Sequence, residues 1–415
     1  MRAYTEPIMV AAWLFPFVAV LITLPYMVFQ YRRYGAILLL RTVILYSFIL
    51  YLMCAYFLTM LPLPSRELVA GLTTPYLQLE PFKGVVVWVQ KSGFVPADPS
   101  TWLRLIVNRD LFVMVANVVM TIPFGIYLRY YFGLRLRTTV LLTLLLSLSF
   151  ELIQLSALFG IYPRPYRLCE TDDLITNTLG GFLGYLLAGP LMRLLPSRRR
   201  MDEVAYRRGT HVSVTRRVTA AVVDWFILSS MLFVLLLMSR PLRTLLVGSG
   251  YRTGLLTFGA LYTAAVFLYF VVGEWLQKGR TVGKRLTHLR LVDERDRGRP
   301  KFWQCAVRYG ILYLGFAPLP FMALLLVAFA IDGETTNWLL LMLGALAMLL
   351  FLLCLILIAV AVINRNNQLP HGALSHTRNV STLVLTEDLL YKVGQTMNET
   401  AAEETTQDSG PLLNG

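Results

Sequence analysis

The chain has 415 residues, of which 56% are hydrophobic and only 15% charged, with a mean hydropathy of +0.61. An ordinary soluble domain carries about 45–50% apolar and about 25% charged residues, so a soluble enzyme is excluded. A formal charge of +14 on so apolar a chain fits membrane spans joined by Lys/Arg loops. It does not fit a nucleic-acid binder, which needs a basic groove with aromatic platforms on a soluble fold.

A spanning helix needs ~20 mostly apolar residues, because the hydrocarbon core is ~30 Å thick and a helix rises ~1.5 Å per residue. Segments 8–29, 37–60, 110–129, 138–158, 174–195, 218–239, 254–276, 309–331 and 338–363 qualify. The first follows Glu6 and Pro7 and precedes no small-residue cleavage site, so it reads as a span and not as a signal peptide. The predicted fold class is an all-α polytopic membrane protein, with nine transmembrane helices in a bundle of five and a bundle of four. With the Arg32–Arg33 loop inside, the inner loops hold 24 Lys/Arg and the outer loops 10. This predicts an outward N-terminus and a cytoplasmic C-terminus.

The expected organisation follows from these segments. Residues 1–36 are the first span and its short basic loop. Residues 37–195 form a first membrane domain with an outer loop at 62–108. In that loop the run Val85 to Val89, near Trp88 and Trp102, suits one or two short strands or an interfacial helix. Residues 196–217 are a basic cytoplasmic linker, 218–393 a second membrane domain, and 394–415 an acidic, polar tail expected to be disordered. The four cysteines (Cys54, Cys169, Cys305, Cys354) are far apart and form no CxxC, so neither a disulfide framework nor a zinc site is indicated.

A polar residue inside a span is costly and is a site candidate by default. The third span carries Asn117 and the break Pro123-Phe124-Gly125. The fourth carries Glu151 and Gln154, and the fifth carries Asn177, Gly180, Gly181 and Gly184. Counting residues from the outer helix ends puts Asn117, Glu151 and Asn177 within roughly 5–11 Å of the outer surface. Glu151 and Gln154 share a helix face, and Gly180-xxx-Gly184 allows close helix approach. The preceding outer loop holds Arg164, Arg167, Glu170, Asp172 and Asp173. These features predict a polar pocket in the outer leaflet, with Arg164 or Arg167 as counter-ion to Glu151. One of Asp172 and Asp173 is expected to cap the following helix.

The set Asn117…Pro123-Phe124-Gly125, Glu151-Leu-Ile-Gln154, Arg164…Asp172-Asp173…Asn177-Thr-Leu-Gly180-Gly181…Gly184 resembles the VanZ-like family. The similarity covers about residues 40–195 and includes Leu79-Glu80-Pro81-Phe82. The family is named for a teicoplanin-resistance membrane protein of Gram-positive bacteria, so the resemblance implies a resistance phenotype and no particular reaction.

In the second block, Asp224 lies two turns inside its span, seven residues after Arg217, which suggests an ion pair between them. The next span ends at Glu274, and a glycine-rich basic turn follows: Gly279-Arg280-Thr281-Val282-Gly283-Lys284-Arg285. Its spacing is not that of a nucleotide P-loop, and anionic lipid headgroups are its expected electrostatic partner. The pattern Arg217…Asp224 with Gly279-x-Thr281-x-Gly283-Lys284-Arg285 resembles the RDD family, over about residues 213–385. The family's closing His-Asp…Thr is expected near His371, where this chain reads His371-Gly372-Ala-Leu-Ser-His376-Thr377 and lacks the Asp. The resemblance implies sodium–proton antiport as an alternative activity.

Three functions follow as expectations. The first is a multi-pass protein of the bacterial plasma membrane with an outer-leaflet site for a lipophilic or lipid-linked molecule and a role in low-level teicoplanin tolerance. The second is a cation/proton antiporter using Glu151, Asp224 and Glu274. The third is an intramembrane lipid-modifying enzyme with Glu151 as base and Arg164/Arg167 as phosphate clamp. No HExxH, GxSxG or kinase set is present, so no catalytic residues are assigned. His371 and His376 have no Cys or Glu beside them. No cofactor, metal or nucleic acid is expected. The expected partners are anionic lipid headgroups at the basic loops and a lipophilic ligand.

Overall fold

A computed structural model describes residues 2–248, 251–331, 337–363 and 369–383. The acidic tail at 394–415 lies outside the described residues. Among these residues, nine helices are long and apolar enough to cross a membrane: Thr5–Tyr34, Leu39–Met60, Arg109–Tyr130, Leu136–Leu155, Thr171–Leu194, Val214–Met238, Thr257–Leu276, Phe302–Ile331 and Trp338–Val360. Each coincides with a predicted span. The largest difference is at the eighth, which begins at Phe302 and not at 309. Its first turns carry Gln304 and Arg308, which lower the hydropathy but are buried.

The first unit comprises Met1–Ile22 and Leu38–Asp202. It contains part of α1 (Arg2–Tyr34), then α2 (Leu39–Met60), α3 (Lys83–Ser92), α4 (Arg109–Tyr130), α5 (Leu136–Leu155) and α6 (Thr171–Leu194). On α5 the apolar pattern is inside out. Thr139, Thr143, Ser147, Glu151 and Gln154 recur every three or four residues and are buried, whereas Leu141, Leu145 and Leu152 are exposed. In water that would be unstable. In a bilayer it puts leucine against lipid and leaves the polar stripe to pair between helices.

Helices α4 and α6 meet along glycines. A Cβ on Gly184 would stand 2.0 Å from the Ile122 carbonyl, and one on Gly180 would stand 2.1 Å from Thr121 Oγ1. No side chain fits at either position, and the close backbone approach is what the GxxxG spacing predicted. In the outer loop the Val85–Val89 run is helical and lies within α3. A parallel pair of two-residue strands, β1 (Leu77–Gln78) and β2 (Cys169–Glu170), ties that loop to the start of α6.

The second unit comprises Thr23–Ile37 and Glu203–Gly415. The stretch read as a basic linker is structured. It contains α7 (Arg198–Gly209), and α8 (Val214–Met238) begins within its last residues. Helix α9 (Tyr251–Val266) runs on through a π-helical stretch, Phe267–Gly273, into Glu274–Leu276. The short α10 (Val282–Leu286) follows. Then come β3 (Leu289–Asp293) and α11 (Phe302–Tyr309), which continues as π-helix over Gly310–Phe316 and as α-helix over Leu319–Ile331. After α12 (Trp338–Ile363) and α13 (Pro370–Leu374), β4 (Thr377–Ser381) pairs antiparallel with β3, Leu289 opposite Ser381. The core joins Leu228, Val266, Phe270, Val271, Leu291, Cys305, Tyr309 and Tyr313. Phe270 and Tyr313 come from the two π-helical stretches, 4.5 Å apart between ring centres.

Candidate functional site

In the first unit the predicted outer-end residues divide into two groups. Asn117, Glu151, Asp173 and Asn177 converge, whereas Gln154, Arg164 and Arg167 anchor backbone. Asn117 Nδ2 donates to Asp173 Oδ1 at 2.7 Å, and Asn177 Nδ2 donates to Ser147 Oγ at 2.9 Å. Thr121 Oγ1 donates to the Asn177 carbonyl at 2.7 Å, and Ser147 Oγ to the Asp173 carbonyl at 3.3 Å. Glu151 is 3% exposed, and its Oε2 accepts from the Glu170 backbone N–H at 3.1 Å. The Asn177 side-chain oxygen is buried and has no hydrogen-bond partner.

Two expectations are corrected. Arg164 donates to the carbonyls of Leu72 and Thr74, and Arg167 donates to the Leu61 carbonyl at 2.7 Å. Chain leaving a helix end and turning through an outer loop carries unpaired carbonyls, and the two guanidinium groups satisfy these in place of Glu151. Neither Asp172 nor Asp173 caps α6. Its N-cap is Glu170, with no side-chain cap bond. Asp172 instead accepts from the backbone N–H groups of Phe82 (2.5 Å) and Gly84 (2.6 Å), at the start of α3. It therefore caps a helix some ninety residues earlier in sequence and pins the outer loop over α6. Gln154 Nε2 donates to the Thr59 carbonyl at 3.0 Å.

Two more carboxyls, Glu170 and Asp172, lie at the rim with the Cys169 thiol. Burial raises the Glu170 carboxyl, with Asp172 adding to the effect. Burial, and then the neighbouring Glu151, push the Cys169 thiol up to about 11, so it is no thiolate nucleophile at neutral pH. The site is thus rich in acceptors, and the group it suits is a polar one with N–H or O–H donors. Beside it, α2 and α4 border an apolar cavity of about 460 Å³ lined by Cys54, Ala55, Leu58, Val115, Val119 and Pro123.

The motif of the second unit assembles differently from expectation. Asp224 is held by donors from three directions: Tyr269 Oη at 2.7 Å, Thr281 Oγ1 at 2.5 Å and the Gly283 N–H at 2.7 Å. These replace the ion pair expected from Arg217. The glycine-rich turn therefore turns its N–H inward to a carboxylate and not outward to a headgroup. Thr281 caps α10 while bonding Asp224, and a Cβ on Gly283 would press to 2.1 Å from the Ala220 carbonyl. Gly279 has φ +82°, and a Cβ there would lie 2.2 Å from the Leu291 carbonyl, so this turn requires glycine. Lys284 is buried and paired to Glu274, which also accepts from Tyr309. Burial lowers the Lys284 ammonium, and Glu274 opposes that shift. Arg285 remains exposed.

Sequence reasoning passed over Arg216. It is wholly buried and donates to the carbonyls of Thr287 (2.6 Å), Gly209 (2.7 Å) and His288 (2.8 Å). Its neighbour Arg217, about 100° around the helix, lines a cavity with Asp224, Lys284, Arg308 and His371. Arg308 and Tyr309 were also missed: Arg308 fell just outside the predicted span, and Tyr309, its first residue, read as an ordinary interfacial aromatic. Among the described residues, no group of three or more His, Cys, Asp or Glu is placed to hold a metal ion.

Residues 48–193 match the VanZ/LLP1 family and residues 211–375 match the RDD family. Protein VanZ of Enterococcus faecium is 36% identical over 92 residues, which is 22% of this chain and 52% of that protein, so the chain spans about half the length of this curated relative. No solved structure matches. With its spans, these similarities make the chain a multi-pass membrane protein of the bacterial plasma membrane, carrying a VanZ-like domain followed by an RDD domain.

Proposed function

We propose that this membrane protein, a VanZ-like domain joined to an RDD domain, acts through the outer-end site of its first domain on a lipophilic or lipid-linked molecule of the cell envelope, and so confers low-level tolerance to teicoplanin. The observation that carries the reading is the pair of buried acceptors, Glu151 and the unpartnered Asn177 oxygen, set among Asn117, Ser147 and Asp173. A buried acceptor without a donor is costly, and a ligand that brings N–H or O–H groups relieves that cost. The apolar cavity bordered by the same helix α4 suits an acyl tail. Teicoplanin carries such a tail, and vancomycin does not.

Cation–proton exchange has less support. Asp224 and Glu274 are both occupied by donors, and three cations face the same cavity as Asp224. Intramembrane lipid chemistry loses its phosphate clamp, since Arg164 and Arg167 are committed to backbone carbonyls.

The test is a Gram-positive host lacking the gene, complemented with wild type, Glu151→Gln or Asn177→Ala, with vancomycin as control. The expected result is that wild type raises the inhibitory concentration of teicoplanin alone, and that Glu151→Gln returns it to the level of the deletion strain at equal membrane abundance. Equal sensitivity of all strains would overturn the reading.

A further inference from the structure

The second unit contains a cavity of about 180 Å³ that the proposed function does not use. At about 30 Å³ per water in the liquid, it has room for about six waters or one small polyatomic ion. Its polar wall is Arg217, Lys284, Arg308, Asp224, His371 and Asn379. Among the described residues the wall carries three cations and one acid. Asp224 is already bonded to Tyr269, Thr281 and Gly283, and Glu274 holds Lys284 at the cavity's edge. Arg308 is 6% exposed and gives one Nη to Thr377 Oγ1 at 3.0 Å, and its Nε is buried with no hydrogen-bond partner. A buried guanidinium donor left unmet is expensive, and an anion is what meets it best. His371 reports the same field. Burial, and then Arg308, Arg217 and Lys284, push its imidazole down to about 3, so the ring stays neutral beside three cations.

Depth narrows the ligand. Val214, Arg217, Val218 and Asp224 lie in the first three turns of α8, and His371 lies beyond the end of α12, so the cavity sits at a membrane-facing end of the spans. The ends of spans lie toward the headgroups, where phosphate is the abundant anion. Phe270 and Leu312 also line the cavity and would tolerate the glycerol or acyl start of a lipid.

We infer that this cavity binds a phosphate group, free or borne on an anionic lipid, held by Arg308 and Arg217 with Lys284 behind them. The cluster would then be an anion site formed around the Arg217–Asp224 motif, and Asp224 would be the residue that orders the Gly279–Arg285 turn and not a ligand. The inference is independent of the teicoplanin reading.

The experiment uses the full chain in phosphatidylcholine nanodiscs. One arm measures binding of radiolabelled inorganic phosphate by equilibrium dialysis. The other adds phosphatidylglycerol and counts lipids retained per chain by native mass spectrometry. The expected result is one anion per chain in at least one arm. Arg308→Gln should weaken binding by about tenfold or more, the size of one charge-assisted hydrogen bond, and Arg308→Lys should recover part of it. Ala221→Trp keeps every charge, fills the cavity and should abolish binding, which covers the case of Arg308→Gln failing to fold. Binding in the dialysis arm assigns free phosphate, and selective retention of phosphatidylglycerol alone assigns the lipid. No preference for either anion over phosphatidylcholine overturns the site, as does anion binding that survives both Arg308→Gln and Ala221→Trp.

Discussion

The two domains bury polar side chains inside spans in opposite ways. In the VanZ-like unit the groups are mainly acceptors: buried Glu151 and Asp172 and half-buried Asp173, met by backbone N–H groups and the Asn117 amide, and the Asn177 oxygen, which is unmet. In the RDD unit the charged residues of the cavity wall are three cations and one acid, and that acid, like Glu274 nearby, is already engaged. A membrane interior penalises either sign, so each domain holds its excess at a helix end where a partner of the other sign or polarity can arrive. On the two proposals made above, one device serves two chemistries, a donor-rich ligand in the first domain and an anion in the second.

The largest effect expected of any single change tests the packing that holds the first site together. Gly184→Leu puts a side chain where even a Cβ would lie 2.0 Å from the Ile122 carbonyl. A loss upward of about 4 kcal/mol is expected, seen as aggregation on size-exclusion chromatography in detergent. A monodisperse variant with unchanged melting would show that α4 and α6 are not in backbone contact.

Next in size is the ion pair of the second unit. Lys284→Met leaves Glu274 buried with Tyr309 alone, and should cost about 3–5 kcal/mol in thermal or denaturant unfolding. Adding Glu274→Gln should return part of that loss. If the double variant is no better than the single one, the pair is not coupled as described.

A pH dependence separates the domains further. His371 titrates near 3 in the folded chain and near 6.5 when unfolded, so only the unfolded chain takes up the proton between these values. Stability from this group is therefore full above about pH 6.5 and falls as the pH drops toward 3. Between pH 7 and 5 the loss is at most about 2 kcal/mol. His371→Asn should flatten that slope.

The smallest effect concerns the outer loop. Asp172→Ala removes the acceptor for Phe82 and Gly84 and should cost about 1 kcal/mol. Faster amide exchange confined to the start of α3 is the signature, and unchanged protection there would deny Asp172 its capping role.

How much was legible in the sequence differs by level. Nine apolar runs, their approximate ends and the GxxxG step could be read directly, because lipid imposes length and hydropathy on every span one helix at a time. The same local logic marked Asn117, Glu151, Asn177 and Asp224 as polar residues out of place. Partners were not legible. Arg164 and Arg167 looked like counter-ions by proximity in the chain, yet the nearest unmet acceptors in space were carbonyls from residues 61–74. Asp172 looked like a cap for its own helix, but the open N–H groups of α3 lay closer. Arg216 and Arg217 are adjacent in sequence, and only their positions around α8 separate a buried carbonyl clamp from a cavity wall. Composition and periodicity depend on neighbours along the chain, so the sequence by itself determined a membrane protein and its spans. Hydrogen-bond satisfaction depends on neighbours in space, so only the tertiary structure decided which charge meets which group.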